Sequence, residues 1–414
     1  MTVAADLRAL YPRVLGKTLA LTRRLADAED AVQDAVERAL GAWPRTGAPD
    51  SPEAWLVSVA ANCHRDRVRR GKREERHADA LAALAQMSPW VQGAIAAPEI
   101  ARGWKDDLLR LLFACCHPCL ETGESAALAL ATVLGLSSSE VSEAFALAPR
   151  SMDQRLTRAR RRLRERGESE APSVDAARDR LDAVLTVIHL LFNEGYWSTV
   201  DDSPIRADLC RLAVGLARSL REMFPAEPEV LGLLALMILH EARRPARIDA
   251  AGAPVPLPEQ DRARWNAEAI AEGTALLDVA LRGGSPGPFQ IEAAISATHC
   301  RATTAGDTDW NEIAELYGLL ERARPSTGVR VNRAFAVARA RGALEGLRLL
   351  DEGGGAMVND YPYAHLVRGT LLDELGHDDA AITALEHAAG VARNAHEAGQ
   401  IRDRIARIRE RGRS

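Results

Sequence analysis

Apolar residues along this chain recur at helical rather than strand spacing. Over 27–40 they fall at Ala28, Val32, Ala35, Val36 and Ala39, one stripe of a helix, with Glu29, Asp30, Asp34 and Glu37 off it and Asp27 placed to cap its start. Ser51 followed by Pro52 predicts a second start, with Trp55, Leu56, Val59, Ala60 and Cys63 as the inner face. That face fades, and from Arg65 the helix reads Arg65, Asp66, Arg67, Arg69, Arg70, Lys72 and Arg73, a run suited to a phosphate backbone. Further on, Ser137, Ser138, Ser139 and Glu140 form a capping box, Val141, Ala144 and Phe145 supply a core face, and Leu147, Ala148 and Pro149 make a turn. The helix expected from about Arg150 places Met152, Leu156, Ala159 and Leu163 on one seam, with Arg155, Arg158, Arg161 and Arg162 outside it.

Such a pair is a helix-turn-helix signal: the second helix can enter a major groove, its first residues reading base edges and its later arginines gripping phosphates. The bland alternative is an amphipathic hairpin with a solvated face. The coincidence of cap, turn and basic face favours DNA.

Composition supports an all-α chain. Aromatics are 4%, Ala, Leu and Arg dominate, and β-branched runs are scarce. With 414 residues and 47% hydrophobic content the chain can divide into several domains. Its net charge of -5 argues against coating nucleic acid through bulk charge, so DNA contact must be local. The N-terminal residues lack a signal-peptide pattern and the longest apolar run, over 230–239, is too short to span a bilayer, so a cytoplasmic protein with no membrane partner is expected.

Six cysteines suggest no disulfide framework. Three crowd into Cys115, Cys116 and Cys119 around His117 and Pro118, yet neighbours on a helix point about 100 degrees apart. A packed core fits that cluster better than a tetrahedral zinc site. No metal or cofactor is expected, and without a Gly-rich phosphate loop or a Ser/His/Asp set no catalytic residue is expected either.

Pro/Gly-rich punctuation falls at 41–52, 87–98 and 167–173. It divides the chain into 1–76, a linker over 77–99, a helix-turn-helix block over 100–167, a helical extension over 175–290 and repeats over 291–414. Gly369, Gly376, Ala381, Leu385 and Ala388 fit a 34-residue TPR unit. One period back, Gly342 stands opposite Gly376, and a further period back Trp310, Tyr317 and Pro325 fit aromatic and proline positions, the middle copy being degraded.

These residues carry a resemblance. Asp27 to Ala35, then Ala54-Trp55-Leu56 with Ala60-Ala61-Asn62 and Arg65-Asp66-Arg67, resembles region 2 of the sigma-70 superfamily. Leu136 to Phe145 followed by Gln154 to Leu163 resembles region 4. Both regions in order with no region 3 between them resemble the extracytoplasmic-function (ECF) subgroup. Asp106 to Arg110 with the Cys-Cys-His-Pro run, Leu191 to Tyr196, Arg206 to Cys210 and Leu231 to Leu236 are similar to a branch with a TPR-like C-terminal domain. The turn departs from many relatives, carrying Leu147-Ala148 where they have Gly.

The resemblance implies a sigma factor that binds core RNA polymerase and promoter DNA. Glu29, Asp30, Gln33, Asp34 and Glu37 would then face the clamp of the polymerase's largest subunit. A loop from Trp43 to Ser51 would capture a flipped minus-ten base, with Trp43, Asn62, Arg65, Arg69 and Arg70 holding the separated strand. Upstream DNA would meet Arg150, Ser151, Asp153, Gln154, Arg155, Arg158 and Arg162. The TPR-like region would hold a regulatory protein or contact the sigma regions of its own chain. The alternative is a polymerase-independent helix-turn-helix regulator with a TPR partner-binding domain.

Overall fold

The computed structural model describes residues 3–83, 106–133, 136, 138–145, 147–166, 176–196, 207–249, 254–352, 361–392 and 395–411. Those residues are helical apart from turns and an isolated bridge between Ile248 and Pro254. Of the linker expected over 77–99, residues 77–83 instead continue the helix that starts at Pro52, and 84–99 lie outside the described residues, as do Ser137 of the capping box and 167–173. The chain divides into two compact units, Met1–Leu191 and Phe192–Ser414.

In the first unit, α1 (Val3–Thr22), α2 (Leu25–Thr46) and α3 (Pro52–Ala83) pack against one another. The stripe on α2 is the reason: Leu25, Ala28, Ala31, Val32, Ala35, Ala39 and Trp43 are all buried, while Val36 is half-buried. The α2 start corrects the expected cap at Asp27. Arg23 takes the left-handed conformation at φ 64° and turns the chain, so Arg24 is the N-cap and Asp27 lies in the first turn, where its carboxylate favours the positive helix end. On α3, Leu56, Ala60 and Cys63 are buried, with Trp55 and Val59 half-buried.

Four shorter helices complete the helix-turn-helix part of this unit: α4 (Asp107–Cys115), α5 (Thr122–Val133), α6 (Ser138–Ala144) and α7 (Pro149–Arg166). Asp106 caps α4, its carboxylate accepting from the backbone N–H groups of Leu108 and Leu109. Cys115 and Cys116 are buried at the end of α4, and burial pushes the Cys115 thiol up to about 12 although Thr132 of α5 lies 3.1 Å away. A short 3-10 turn, Ala176–Arg180, leads into α8 (Leu181–Tyr196) and ties back to α4 through Arg180, which donates to the Phe113 carbonyl at 3.0 Å.

The second unit is a chain of helices, most packed against the next along the sequence: α9 (Ala207–Met223), α10 (Pro228–Ala242), α11 (Ala267–Leu281), α12 (Pro288–Arg301), α13 (Trp310–Ala323), α14 (Thr327–Arg341), α15 (Ala343–Glu352), α16 (Pro362–Glu374), α17 (Asp378–Gly390) and α18 (Ala395–Arg411). Its cores are correspondingly serial. Ile291, Ile313 and Ala336 belong to one, Val331, Leu350 and Leu371 to the next, and Leu385, Ile401 and Ile405 to the last. Close crossings depend on glycine. A Cβ on Gly369 of α16 would come within 2.6 Å of Leu385 and 3.2 Å of the Ala381 carbonyl on α17, and one on Gly273 of α11 within 2.7 Å of Leu239. The N-terminus of α12 is capped from α10, where the Glu229 carboxylate accepts from the backbone N–H groups of Phe289 and Gln290 at 3.0 and 3.1 Å.

Candidate nucleic-acid interface

The turn before α7 sets where that helix starts. Ala148 accepts from the N–H groups of Ser151 and Met152, and Pro149 takes the first helical position, where its missing N–H leaves nothing unsatisfied. Met152, Leu156, Ala159 and Leu163 are all buried, which fixes the rotation of α7 on α5 and α6. Arg150, Ser151, Asp153 and Gln154 are therefore exposed at the N-terminal turn, and Arg158 is exposed one turn further on.

Four further arginines of α7 are engaged within the protein, whereas Arg161 is exposed and pairs with Glu165 of its own helix at 3.5 Å. Arg155 is half-buried, with its guanidinium 5.9 Å from the Phe145 ring. Arg162 donates to Glu124 of α5 at 2.6 Å, and Glu124 is among the buried charged residues. Arg160 pairs with Glu29 of α2 at 3.2 Å and Arg164 lies 3.9 Å from Asp30.

On α2 and α3, acidic and basic faces meet. Arg67 pairs with Asp34 at 2.7 Å and with Asp30 at 3.6 Å, and Gln33 donates to Glu37 at 3.2 Å. Gln33 and Glu37 are exposed, Asp34 half-exposed, and the Glu29 side chain is 13% exposed. Asn62 and Arg65 are exposed neighbours, Arg65 donating to the Asn62 carbonyl oxygen. Arg69 and Arg70 follow on α3, with side chains outside the described residues.

Trp43 requires a correction. Instead of opening a loop over 43–51, α2 continues to Thr46, and Trp43 is buried with its ring 5.5 Å from that of Trp55. Four residues after the buried Ala39, Trp43 extends the apolar stripe, and α2 continues past Pro44 although proline has no N–H to donate to the preceding turn. Only 47–51 separates α2 from α3, so Trp43 positions the two helices rather than meeting a base.

Sequence reasoning missed Arg67, Arg160 and Arg164 as partners of the acidic face, and Tyr11 beside them. The Tyr11 hydroxyl is held well above its usual range, first by burial and then by Glu29, with Arg160 opposing. Nothing in local spacing marks the Arg160–Glu29 pair, whose members are 131 residues apart.

Comparison with known proteins agrees with this architecture. Sigma-70 region 2 matches residues 7–74, sigma-70 region 4 matches residues 110–163, and a family of unknown function, DUF6596, matches residues 180–281. An uncharacterized protein of Rhizobium meliloti (strain 1021) is 42% identical over 398 residues, covering 94% of this chain and 92% of that one. The crystal structure of yeast Tom70 is 13% identical with a TM-score of 0.39, covering 99% of this chain and 84% of that one. Helices α1 to α3 span the first match and α4 to α7 the second, in that order, so the chain carries sigma-70 region 2 and region 4 ahead of a helical segment that matches DUF6596.

Proposed function

We propose that this protein is a sigma factor of the ECF type that docks on core RNA polymerase through the acidic face of α2, reads an upstream promoter element with the N-terminal turn of α7, and is regulated by its C-terminal helical array. The observation that carries the reading is the pairing of regions 2 and 4 on one chain, with Arg150, Ser151, Asp153 and Gln154 exposed at the start of the second helix of a helix-turn-helix. Glu29, Asp30, Gln33, Asp34 and Glu37 follow one another along a polar face opposite a buried stripe, which suits docking by charge complementarity. Asn62, Arg65, Arg69 and Arg70 run along α3 in the order needed to track a separated strand.

The serial packing of α9 to α18 suits a partner-binding role, because arrays of this kind build extended surfaces from neighbouring helices. Among the described residues no helix is long and apolar enough to cross a membrane, which is compatible with work at cytoplasmic DNA.

Transcription reconstituted from core polymerase, this protein and a genomic promoter library is the test. Initiation at a defined promoter class is expected. Transcription that stays at the core-only level, together with DNA binding that needs no polymerase, would favour the polymerase-independent regulator instead. For the extension, a fragment ending at Tyr196 keeps α8 and the Arg180 contact to α4, and its promoter output is expected to fall relative to the full chain. Equal output from the folded fragment under every condition would leave the array as an independent binding module.

A further inference from the structure

Region 4 covers part of the region 2 surface assigned above to polymerase. Arg160 of α7 reaches Glu29 of α2 at 3.2 Å, and Arg164 one turn on lies 3.9 Å from Asp30. Glu29 is only 13% exposed at this contact, so the pair is partly desolvated and the half-buried Tyr11 is part of its surroundings. A second contact holds the two regions together independently of charge. Gly16 of α1 lies so close to the start of α4 that a Cβ there would sit 2.7 Å from the Asp107 carbonyl oxygen, a backbone approach that glycine permits. A helix expected to meet DNA therefore spends two of its cations on the acidic face expected to meet polymerase.

We infer that this arrangement is a closed state in which α7 and polymerase compete for Glu29 and Asp30, so that loading onto polymerase requires the Arg160–Glu29 and Arg164–Asp30 pairs to open. The inference rests on the proposed docking of α2. Polymerase then meets a partly masked surface, and the closed population lowers its apparent affinity by the fraction of open molecules. Arg67, which pairs with Asp30 and Asp34 from within region 2, stays in place when α7 leaves and keeps those carboxylates ordered. Because the competing group is on the same chain, its effective concentration is high and no second protein is needed to hold the state.

Arg160 is outside both proposed contact sets, which makes it the position to change. In the full-length Arg160→Lys variant, a carbodiimide is expected to join the Glu29 carboxylate to the lysine introduced at position 160, the carbodiimide taking up the water lost as the amide forms. The linked peptide should be found by mass spectrometry in the free protein and should be lost, about 5-fold or more, when core polymerase is added before the reagent. Full-length Arg160→Gln should bind core polymerase about 3- to 10-fold more tightly than the unaltered chain. Absence of the link in the free protein, an unchanged yield with polymerase bound, or equal affinities of Arg160→Gln and the unaltered chain would each overturn the closed state while leaving the sigma-factor reading intact. Failure of every variant and of the unaltered chain to bind polymerase would instead overturn the docking surface, and the closed state with it.

Discussion

Gly342 and Gly376, one 34-residue step apart, both take positive φ, 103° and 74°, at the turns joining α14 to α15 and α16 to α17. At both places a positive φ open to glycine ends the first helix of a pair, although Gly342, with ψ 154°, lies outside the left-handed helical region. A side chain at either position meets no neighbour, so the penalty is conformational. Gly342→Ala and Gly376→Ala are each expected to destabilise the second unit by about 1 kcal/mol, and Gly376→Asn by less, since Asn tolerates this region. Urea unfolding followed on the C-terminal transition would show it; an unchanged midpoint for both alanine variants would mean that the turns do not hold these angles.

Gly369 is constrained by space instead. Its α-carbon faces Leu385 and the Ala381 carbonyl, and a methyl there would push α16 and α17 apart. Gly369→Ala is expected to cost about 1 to 3 kcal/mol, more than Gly376→Ala, and pairing it with Leu385→Ala should lower the additional cost of Gly369→Ala below its value in the unaltered background. A double-mutant cycle measures this directly, and strict additivity would argue against the close crossing.

Two titrating groups on α12 oppose each other. Burial pushes the Glu292 carboxyl up to about 7 despite Arg324 at 3.3 Å, so the folded state keeps a proton that the unfolded chain releases above its ordinary 4.5. Stability from this group falls as pH rises from about 4.5 to 7. His299 behaves inversely: burial, helped by Arg243 and Arg262, lowers it from 6.5 to about 4, so the unfolded chain takes up a proton first and stability falls as pH drops from about 6.5 to 4. Their slopes nearly cancel between those limits in the unaltered chain. Glu292→Gln should unmask a gain of about 1 to 3 kcal/mol on raising pH from 4 to 7, and His299→Gln a loss of similar size. Thermal midpoints across that range that stayed parallel to the unaltered chain would refute both assignments.

What could be read in the sequence follows the range of each interaction. The seam Met152, Leu156, Ala159 and Leu163 is buried as its spacing required, and Gly342 and Gly376 both fall between consecutive helices with positive φ, because helix period and backbone freedom are local. Trp43 escaped because Gly41 and Pro44 read as loop residues, whereas the ring's packing on Trp55 carries α2 one more turn. The capping of α12 by Glu229 and the Arg160–Glu29 pair join positions far apart in the chain, and no local pattern encodes either.

The arginines of α7 should separate by role. Arg158 is exposed and is expected to act on phosphate alone, so Arg158→Ala should weaken binding evenly across upstream-element variants and reduce the slope of log affinity against log salt by about 1. Arg162 is tied to the buried Glu124, whose same carboxylate oxygen also accepts from the Glu121 N–H at 3.2 Å. Removing it leaves a buried carboxylate short of a donor, so Arg162→Ala should cost about 1 to 3 kcal/mol of region 4 stability in addition to any loss of DNA contact. Arg150, Ser151, Asp153 and Gln154 stand where base edges would be read, and substitutions there should shift preference among upstream sequences by about 1 to 3 kcal/mol per base pair while leaving stability and salt slope nearly unchanged. Binding of each variant to a library of upstream elements at two salt concentrations, beside its unfolding midpoint, separates the three behaviours. If Arg158→Ala changed sequence preference and the substitutions at Arg150 to Gln154 did not, α7 would lie in the groove with the opposite end leading, and the reading of its N-terminal turn would have to be reversed.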